Sequence, residues 1–323
     1  MKLVVMIPCR DEEVDLASVL TNIPKTIPGI SCIETLLLDD GSTDRSVQVA
    51  KSNGITYIHS NGQRLGLAKT FKVGLLKSLY YGADIIVNID GDGQYDPKDI
   101  AKLVAPIIEG KADFVVGNRQ ITSLQHLSDF SKFLQTLGSR VVSYFAGVSV
   151  TDVPSGFRAI NRFAATRLNI FSSYTYTIET ILQAANTGLV IRSVDIAARE
   201  TKRKSRLVKN KADYIIRSIV TIFRMFTMYN PMRVFMTASI FFLAFSLLLA
   251  VVYFASGRNF TTHGEALIFS FVFLILGFIV AIGGVLADLS HYNRTLLEEI
   301  SQNFRNTNKQ SDQASSQKGV VSK

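Results

Sequence analysis

Only two cysteines, Cys9 and Cys32, occur in 323 residues, so no disulfide framework is expected to hold the fold together. The first 196 residues carry no excess charge of either sign, with 19 Lys and Arg against 19 Asp and Glu. A region large enough for a catalytic domain therefore lacks the basic field that binding to nucleic acid requires, and nucleic acid is not an expected partner. Met1 leads directly into the strand-like run LVVMI, so no signal peptide is expected. Charge is also missing from two long stretches, VFMTASIFFLAFSLLLAVVYFA at residues 234–255 and ALIFSFVFLILGFIVAIGGVLA at 266–287, each 22 residues long. A helix rising about 1.5 Å per residue crosses a roughly 30 Å hydrocarbon core in about 20 residues, so each run is long enough to span a bilayer. The alternative is an apolar hairpin buried in a soluble core.

The charge that is present is unevenly placed. Residues 197–233 hold ten Lys and Arg against two acids, which accounts for most of the net charge of +9. A basic strip ending at the first apolar run suits anionic lipid headgroups. Between the two apolar runs the only basic residue is Arg258. The positive-inside rule then places that loop outside, with the N-terminal region and the tail at the cytoplasmic face of the cell membrane. Within residues 212–229, polar Asp213, Arg217, Thr221, Arg224 and Thr227 recur at helical spacing among Ile, Val, Phe and Met. Such a helix either lies in the membrane interface or packs on the soluble domain, and Pro231 would end it. Residues 303–323, rich in Ser, Gln, Asn and Lys, are expected to form a disordered tail.

Short apolar runs alternate with helical ones through the first 196 residues. LVVMI, ETLLLDD, ITYIHS, ADIIVNID and ADFVVG read as strands, and Glu12 to Ile23, Arg45 to Asn53, Leu67 to Tyr81 and Pro97 to Glu109 read as helices. The alternation predicts an α/β domain built on a mostly parallel sheet. Ligands of such sheets collect at the carboxyl ends of the strands, where this sequence places Asp39, Asp40, Asp90 and Asp92.

Residues 90–94, DGDGQ, leave an apolar strand and enter a glycine-rich turn at Gly91. Two carboxylates one residue apart can face one hard cation, and Mg²⁺ or Mn²⁺ completes its shell readily with phosphate oxygens. The Gln94 amide oxygen is a candidate third ligand. An EF-hand is excluded, because Tyr95 and Ala101 stand where its loop needs Gly and Glu. A plain solvated Asp-Gly turn is the simpler alternative. LLLDDGSTD at 36–44 likewise ends a strand in acids and a small-residue turn. A carboxylate there could accept hydrogens from a nucleobase, while Asp44 or Ser42 caps the following helix.

Taken with IPCRDEE at 7–13, GNR at 117–119 and SGFRAI at 155–160, the ordered set resembles the inverting family-two glycosyltransferases of GT-A fold. Within them it resembles the branch that includes dolichyl-phosphate mannose synthases and bacterial polyprenyl-phosphate glycosyltransferases. The resemblance covers roughly residues 3–300. It implies that Pro8, Arg10 and Glu12 line a nucleotide pocket, with Leu37 and Asp39 against the base. It further implies that Asp90, Asp92 and Gln94 hold the metal, that Gly91 lies on the donor, and that Arg119 contacts the donor side. Arg199 and Arg206 would hold phosphates. Asp92, Arg119, Asp152 and Arg158 are the residues it places at the chemistry, with Asp152 and Glu179 as spare acids that would help position the acceptor. The sequence departs from the pattern where relatives often have Tyr and Asn in place of Arg10 and Asp11, and its Ser205-Arg206 falls one residue late. Processive synthases of the superfamily hold their polymer with a motif ending in Trp, and this chain has no Trp, so single transfer is implied.

The organisation expected is a GT-A domain at 1–200, a basic amphipathic segment at 201–231, a two-helix transmembrane hairpin at 232–288 and a cytoplasmic helix and tail at 289–323. Expected partners are a nucleotide-sugar donor, a polyprenyl phosphate (undecaprenyl or dolichyl) and the membrane; homo-oligomerisation is left open. The rivals are a membrane-anchored transferase acting on a glycan or protein, and an inactive adaptor of the same fold.

Overall fold

The structure is a computed structural model that describes residues 1–120, 129–171, 176–199, 216, 219–221, 223–224, 227–255 and 260–321. It divides into two compact units, Met1–Ile222 and Phe223–Lys323.

The first unit is built on a seven-stranded sheet in the order β3-β2-β1-β4-β6-β5-β7. The strands are β1 Lys2–Cys9, β2 Cys32–Asp39, β3 Tyr57–Ser60, β4 Ile85–Asn88, β5 Phe114–Asn118, β6 Arg158–Asn161 and β7 Ile191–Asp195. The helices are α1 Leu16–Thr21, α2 Ser46–Ser52, α3 Leu67–Tyr80, α4 Ile100–Ile108, α5 Asp129–Ala146, α6 Arg162–Arg167 and α7 Thr177–Asn186. The central strands β1 and β4 are buried on both faces, which is why they read as unbroken apolar runs. Leu3, Val5, Ile7, Leu37, Ile85 and Val87 form one side of the core with Leu16, Val19, Leu103 and Val104 of the covering helices.

All pairings are parallel except those of β6, which runs antiparallel between β4 and β5. The expected parallel sheet thus gains one reversed strand. β6 is only four residues long and opens on a charged residue, Arg158, so its sequence carries no strand-like apolar run. Its direction has a consequence for placement: the turn that feeds β6 lies at the carboxyl ends of β4 and β5. The α1 helix begins at Leu16 rather than at Glu12, because the backbone N–H groups of residues 11–13 are bonded to side chains of the β2–α2 loop and the start of α2 instead of to a helical turn.

In the second unit, α8 spans Pro231–Ala255 and α9 spans Phe260–Val321. Pro231–Ala255 and Gly264–Ser290 are 25 and 27 residues long and apolar enough to cross a membrane. The two helices pack antiparallel through small residues. Ser239 Oγ donates to Gly277 O at 2.8 Å, Ser246 Oγ donates to Ser270 O at 2.8 Å, and Ser270 Oγ donates back to Ser246 O at 2.9 Å. A Cβ on Gly277 would lie 2.7 Å from Leu243, and one on Gly284 2.7 Å from Phe235. Ser270, Gly277 and Gly284 repeat every seven residues, opposite Ser239 and Ser246 at the same interval, the spacing that keeps one seam facing its partner. α9 continues through residues 303–321, for which composition predicts a disordered tail. An established helix extends without a new nucleation step, and no proline interrupts it there.

Candidate functional site

The carboxyl ends of β1, β2 and β4 lie side by side, with Cys9 paired to Asp39 and Met6 to Asn88. The loop after β1 is fastened to the loop after β2. The Asp11 carboxylate accepts from Thr43 N at 2.8 Å, Glu12 N donates to Ser46 Oγ at 2.7 Å, and Arg45 N donates to Glu13 Oε2 at 3.0 Å. Asp11 adopts φ 53°, a left-handed conformation that an aspartate tolerates better than most side chains. Arg10 is partly exposed, its Nε 3.8 Å from Asp11 Oδ2.

The acids of β2 divide. Asp39 accepts from Ser42 N at 2.9 Å and sits at the strand end. Asp40 accepts from Leu65 N, Gly66 N, Thr70 Oγ1 and Asn61 Nδ2, so its carboxylate is used in holding the loop after β3. Leu37, expected against a base, has no exposed surface and belongs to the core under α1. The strand alternation points Leu37 to the same face as Asp39 but one layer deeper.

Asp90 follows β4. Burial first, then the neighbouring Asp92, pushes its pKa up to about 7, against the opposing pull of Arg119. Asp92 Oδ1 accepts from Gln94 N at 3.1 Å. A Cβ on Gly91 would stand 3.6 Å from Pro8 O, which places the glycine against the end of β1. The segment after β7 closes on this motif: Arg199 N donates to Gln94 O at 2.7 Å, and Arg199 Nη2 donates to Asp96 Oδ2 at 2.8 Å. Arg206 lies outside the described residues.

Arg119, just past β5, is gripped by Asp152. Its Nε and Nη2 reach the two carboxylate oxygens at 2.8 and 2.9 Å, and its backbone N reaches Oδ2 at 3.0 Å. Asp152 is fully buried, and the pairing holds the guanidinium charge firmly, shifting its pKa upward despite burial. Asp152 is therefore committed to orienting Arg119. Arg158, expected at the chemistry, has no exposed surface. It donates to Ser155 O, Val153 O, Thr177 O and Thr180 Oγ1 and packs on the rings of Phe114 and Tyr176. Burial lowers its pKa to about 10, and these donors shape the β6 turn. Glu179 is likewise buried, accepting from Phe171 N at 2.9 Å.

Four residues outside the expected set complete the floor. Asn88 Nδ2 donates to Gly156 O at 2.8 Å and to Tyr176 Oη at 3.1 Å, and Gly156 N donates to Tyr95 Oη at 3.0 Å. A Cβ at Gly156 would come within 2.7 Å of Asp90 Oδ2 and 3.2 Å of Tyr176 Oη, so only glycine lets the turn close over Asp90. The single signal in the sequence was the amide of Asn88 at the end of an otherwise apolar strand.

A mixed α/β sheet with acids at adjacent strand ends and a fixed guanidinium beside them defines a GT-A-like transferase domain. The model of the family described as Glycosyl transferase family 2 matches residues 4–168, and the chain belongs to that family. A UDP-N-acetylglucosamine–dolichyl-phosphate N-acetylglucosaminyltransferase of Methanococcus voltae is 29% identical over 49% of this chain and 69% of its own. A polyprenol monophosphomannose synthase of Mycolicibacterium smegmatis is 22% identical over 61% of this chain and 77% of its own. The fold is shared with the solved structure of glucosyl-3-phosphoglycerate synthase from Mycobacterium tuberculosis, crystallised with Mn²⁺, UDP-glucose and phosphoglyceric acid. That match has a TM-score of 0.55 and 20% identity and covers 71% of this chain and 79% of that one.

Proposed function

We propose that this chain transfers a single sugar from a nucleotide-sugar donor, a UDP- or GDP-sugar, to a polyprenyl phosphate at the cytoplasmic membrane surface, with inversion at the anomeric carbon. The observation that carries the reading is the half-buried Asp90 and Asp92 pair beside Arg119, in a chain that also bears two bilayer-length helices. The activities by which the Methanococcus voltae and Mycolicibacterium smegmatis relatives are named support the choice of acceptor.

The residues fit a divalent cation, Mg²⁺ or Mn²⁺. Among the described residues no group of three His, Cys, Asp or Glu is assembled. The two carboxylates, with Gln94, would therefore supply part of the shell and leave the rest to phosphate oxygens and water, as these cations prefer. An acid pushed up to about 7 by burial and a like-charged neighbour is one that positive charge would relieve. Such a cation would supply neutralisation of the departing diphosphate.

The chain's own groups do the rest. The β1 and β2 loops, with Arg10, Glu12 and Asp39, hold the nucleotide. Arg119 presents its fixed charge to the donor phosphates, and Asp152 keeps it aimed. Arg199, exposed and paired to Asp96, exchanges that carboxylate for a phosphate. The acceptor phosphate monoester, with a second pKa near about 6, is already largely anionic at neutral pH and attacks without a protein base. This agrees with the engagement of Asp152 and Glu179 in the scaffold. The test is to supply the full chain in detergent with radiolabelled nucleotide sugars and undecaprenyl or dolichyl phosphate. Label should move into the organic phase as a phosphodiester. Label that moves only to water-soluble glycans or protein, or no nucleotide release with any donor, would refute the assignment.

A further inference from the structure

The two backbone groups of Gly156 are held by side chains that flank the Asp90–Gln94 motif. Asn88, two residues before Asp90, donates from Nδ2 to Gly156 O at 2.8 Å, and Tyr95, directly after Gln94, accepts from Gly156 N at 3.0 Å. Both clamp residues are themselves fixed. The buried Tyr95 ring lies 5.2 Å from that of Phe157, and buried Asn88 also donates to Oη of Tyr176, whose ring stacks on Phe71. Arg158 holds Ser155 O and Val153 O in the same turn. Asn88 Oδ1, by contrast, has no partner among the described residues. Burying an unpaired carbonyl is costly where Val or Ile would simply fill the strand, so the use of Asn at this position lies in its N–H donors. The clamp bears on one oxygen. The point that a Gly156 Cβ would occupy lies 2.7 Å from Asp90 Oδ2, so on that side the main chain covers Oδ2 and leaves no room for a ligand atom.

We propose that this clamp sets which cation the site accepts: Gly156, pinned by Asn88 and Tyr95, holds Asp90 to a single available oxygen and so favours Mg²⁺ or Mn²⁺ over Ca²⁺. The inference rests on the divalent-cation part of the reading above. Ca²⁺ gathers about six to eight oxygens and commonly takes both oxygens of a carboxylate, whereas Mg²⁺ keeps a tight octahedron and is content with one or two carboxylates beside phosphate and water. One oxygen of Asp90, with Asp92 and the Gln94 amide, meets the second demand and falls short of the first. Asn88 and Tyr95 are thus positioning residues, acting on Asp90 through the main chain of Gly156.

The test needs no turnover. Mn²⁺ binding to the full-length protein in detergent is followed by the paramagnetic resonance of the free ion, with Mg²⁺ and Ca²⁺ as competitors. Tyr95→Phe, which keeps the buried ring and removes only the hydroxyl, and Asn88→Leu should each weaken Mn²⁺ and Mg²⁺ by about tenfold. Ca²⁺ should hold its affinity or gain, because a released Asp90 can offer both oxygens. Ser139→Ala is the control: Ser139 Oγ accepts from Val153 N at 3.2 Å, so this change loosens the same turn without touching Gly156, and the ratio of Ca²⁺ to Mn²⁺ affinity should stay at the wild-type value. An equal loss for all three cations in the clamp variants, an unchanged ratio in Tyr95→Phe, or the same change of ratio in Ser139→Ala would overturn the proposal. Mn²⁺ binding that survives Asp90→Asn, or is absent from the wild type, would remove the metal reading and the clamp together. Failure to transfer sugar to a polyprenyl phosphate would leave the result standing.

Discussion

Asp90 sits where its charge is opposed by burial and by Asp92, with a pKa of about 7 against about 3.9 for an unfolded aspartate. A raised carboxylate binds more protons folded than unfolded between those values. Its contribution therefore becomes more destabilising as pH rises from about 4 and is fully developed above about 7. In chelator, the melting temperature of the protein should fall across that window relative to Asp90→Asn. Divalent cation should raise the wild-type value and not that of the variant, read by thermal melts in detergent; the same variant should lose turnover. Asp152→Ala should act differently, because it strands a buried guanidinium. A loss of about 3–5 kcal/mol is expected, measured by urea unfolding, with Asp152→Asn costing less since an amide still accepts from Arg119 N. How much of this was legible divides by cause. Asp90, Asp92, Asp39 and the loop at 10–13 could be found from strand ends alone. The Arg119–Asp152 pair joins residues 33 apart, and the full burial of Leu37 and Arg158 is a matter of depth, which no local pattern encodes.

At the scale of elements, β1 to β5 were legible because each is an apolar run bounded by turn residues. β6 and β7 were not: RAIN is short and begins with a buried charge, and the IRSVD of β7 is only partly buried. The helix pair α8 and α9 was legible as two apolar runs, but its seam was hidden among them, since Ser and Gly appear in membrane helices for many reasons. That seam is open to test. Ser246→Cys with Ser270→Cys, in a Cys32→Ser background, should cross-link readily under oxidant, as the two hydroxyl oxygens are 3.3 Å apart. Adding Gly277→Leu should cut the yield several-fold, because a Cβ there already meets Leu243. Ser246→Ala alone should cost about 0.6–1.7 kcal/mol of hairpin stability.

The whole molecule is neutral over its first 196 residues and basic just before its first apolar helix, an asymmetry that sets an expected orientation. Cysteines placed at Ser256 or Thr262 should react with an impermeant thiol reagent in intact cells, and one at Ser315 should not; the reverse pattern would place the sugar donor and the transferase domain on opposite sides. The reversed strand β6 bears on how such a molecule comes into being. Because β6 lies between β4 and β5, a chain synthesised as far as Asn118 holds a β5 with no neighbour and a β4 with one open edge. That edge stays available to other chains until about 40 more residues have emerged and Arg158 to Asn161 can fill it. The sheet is thus joined into one piece by nearly the last part of the domain to be made, and truncations that stop short of β6 should aggregate rather than yield a smaller working domain.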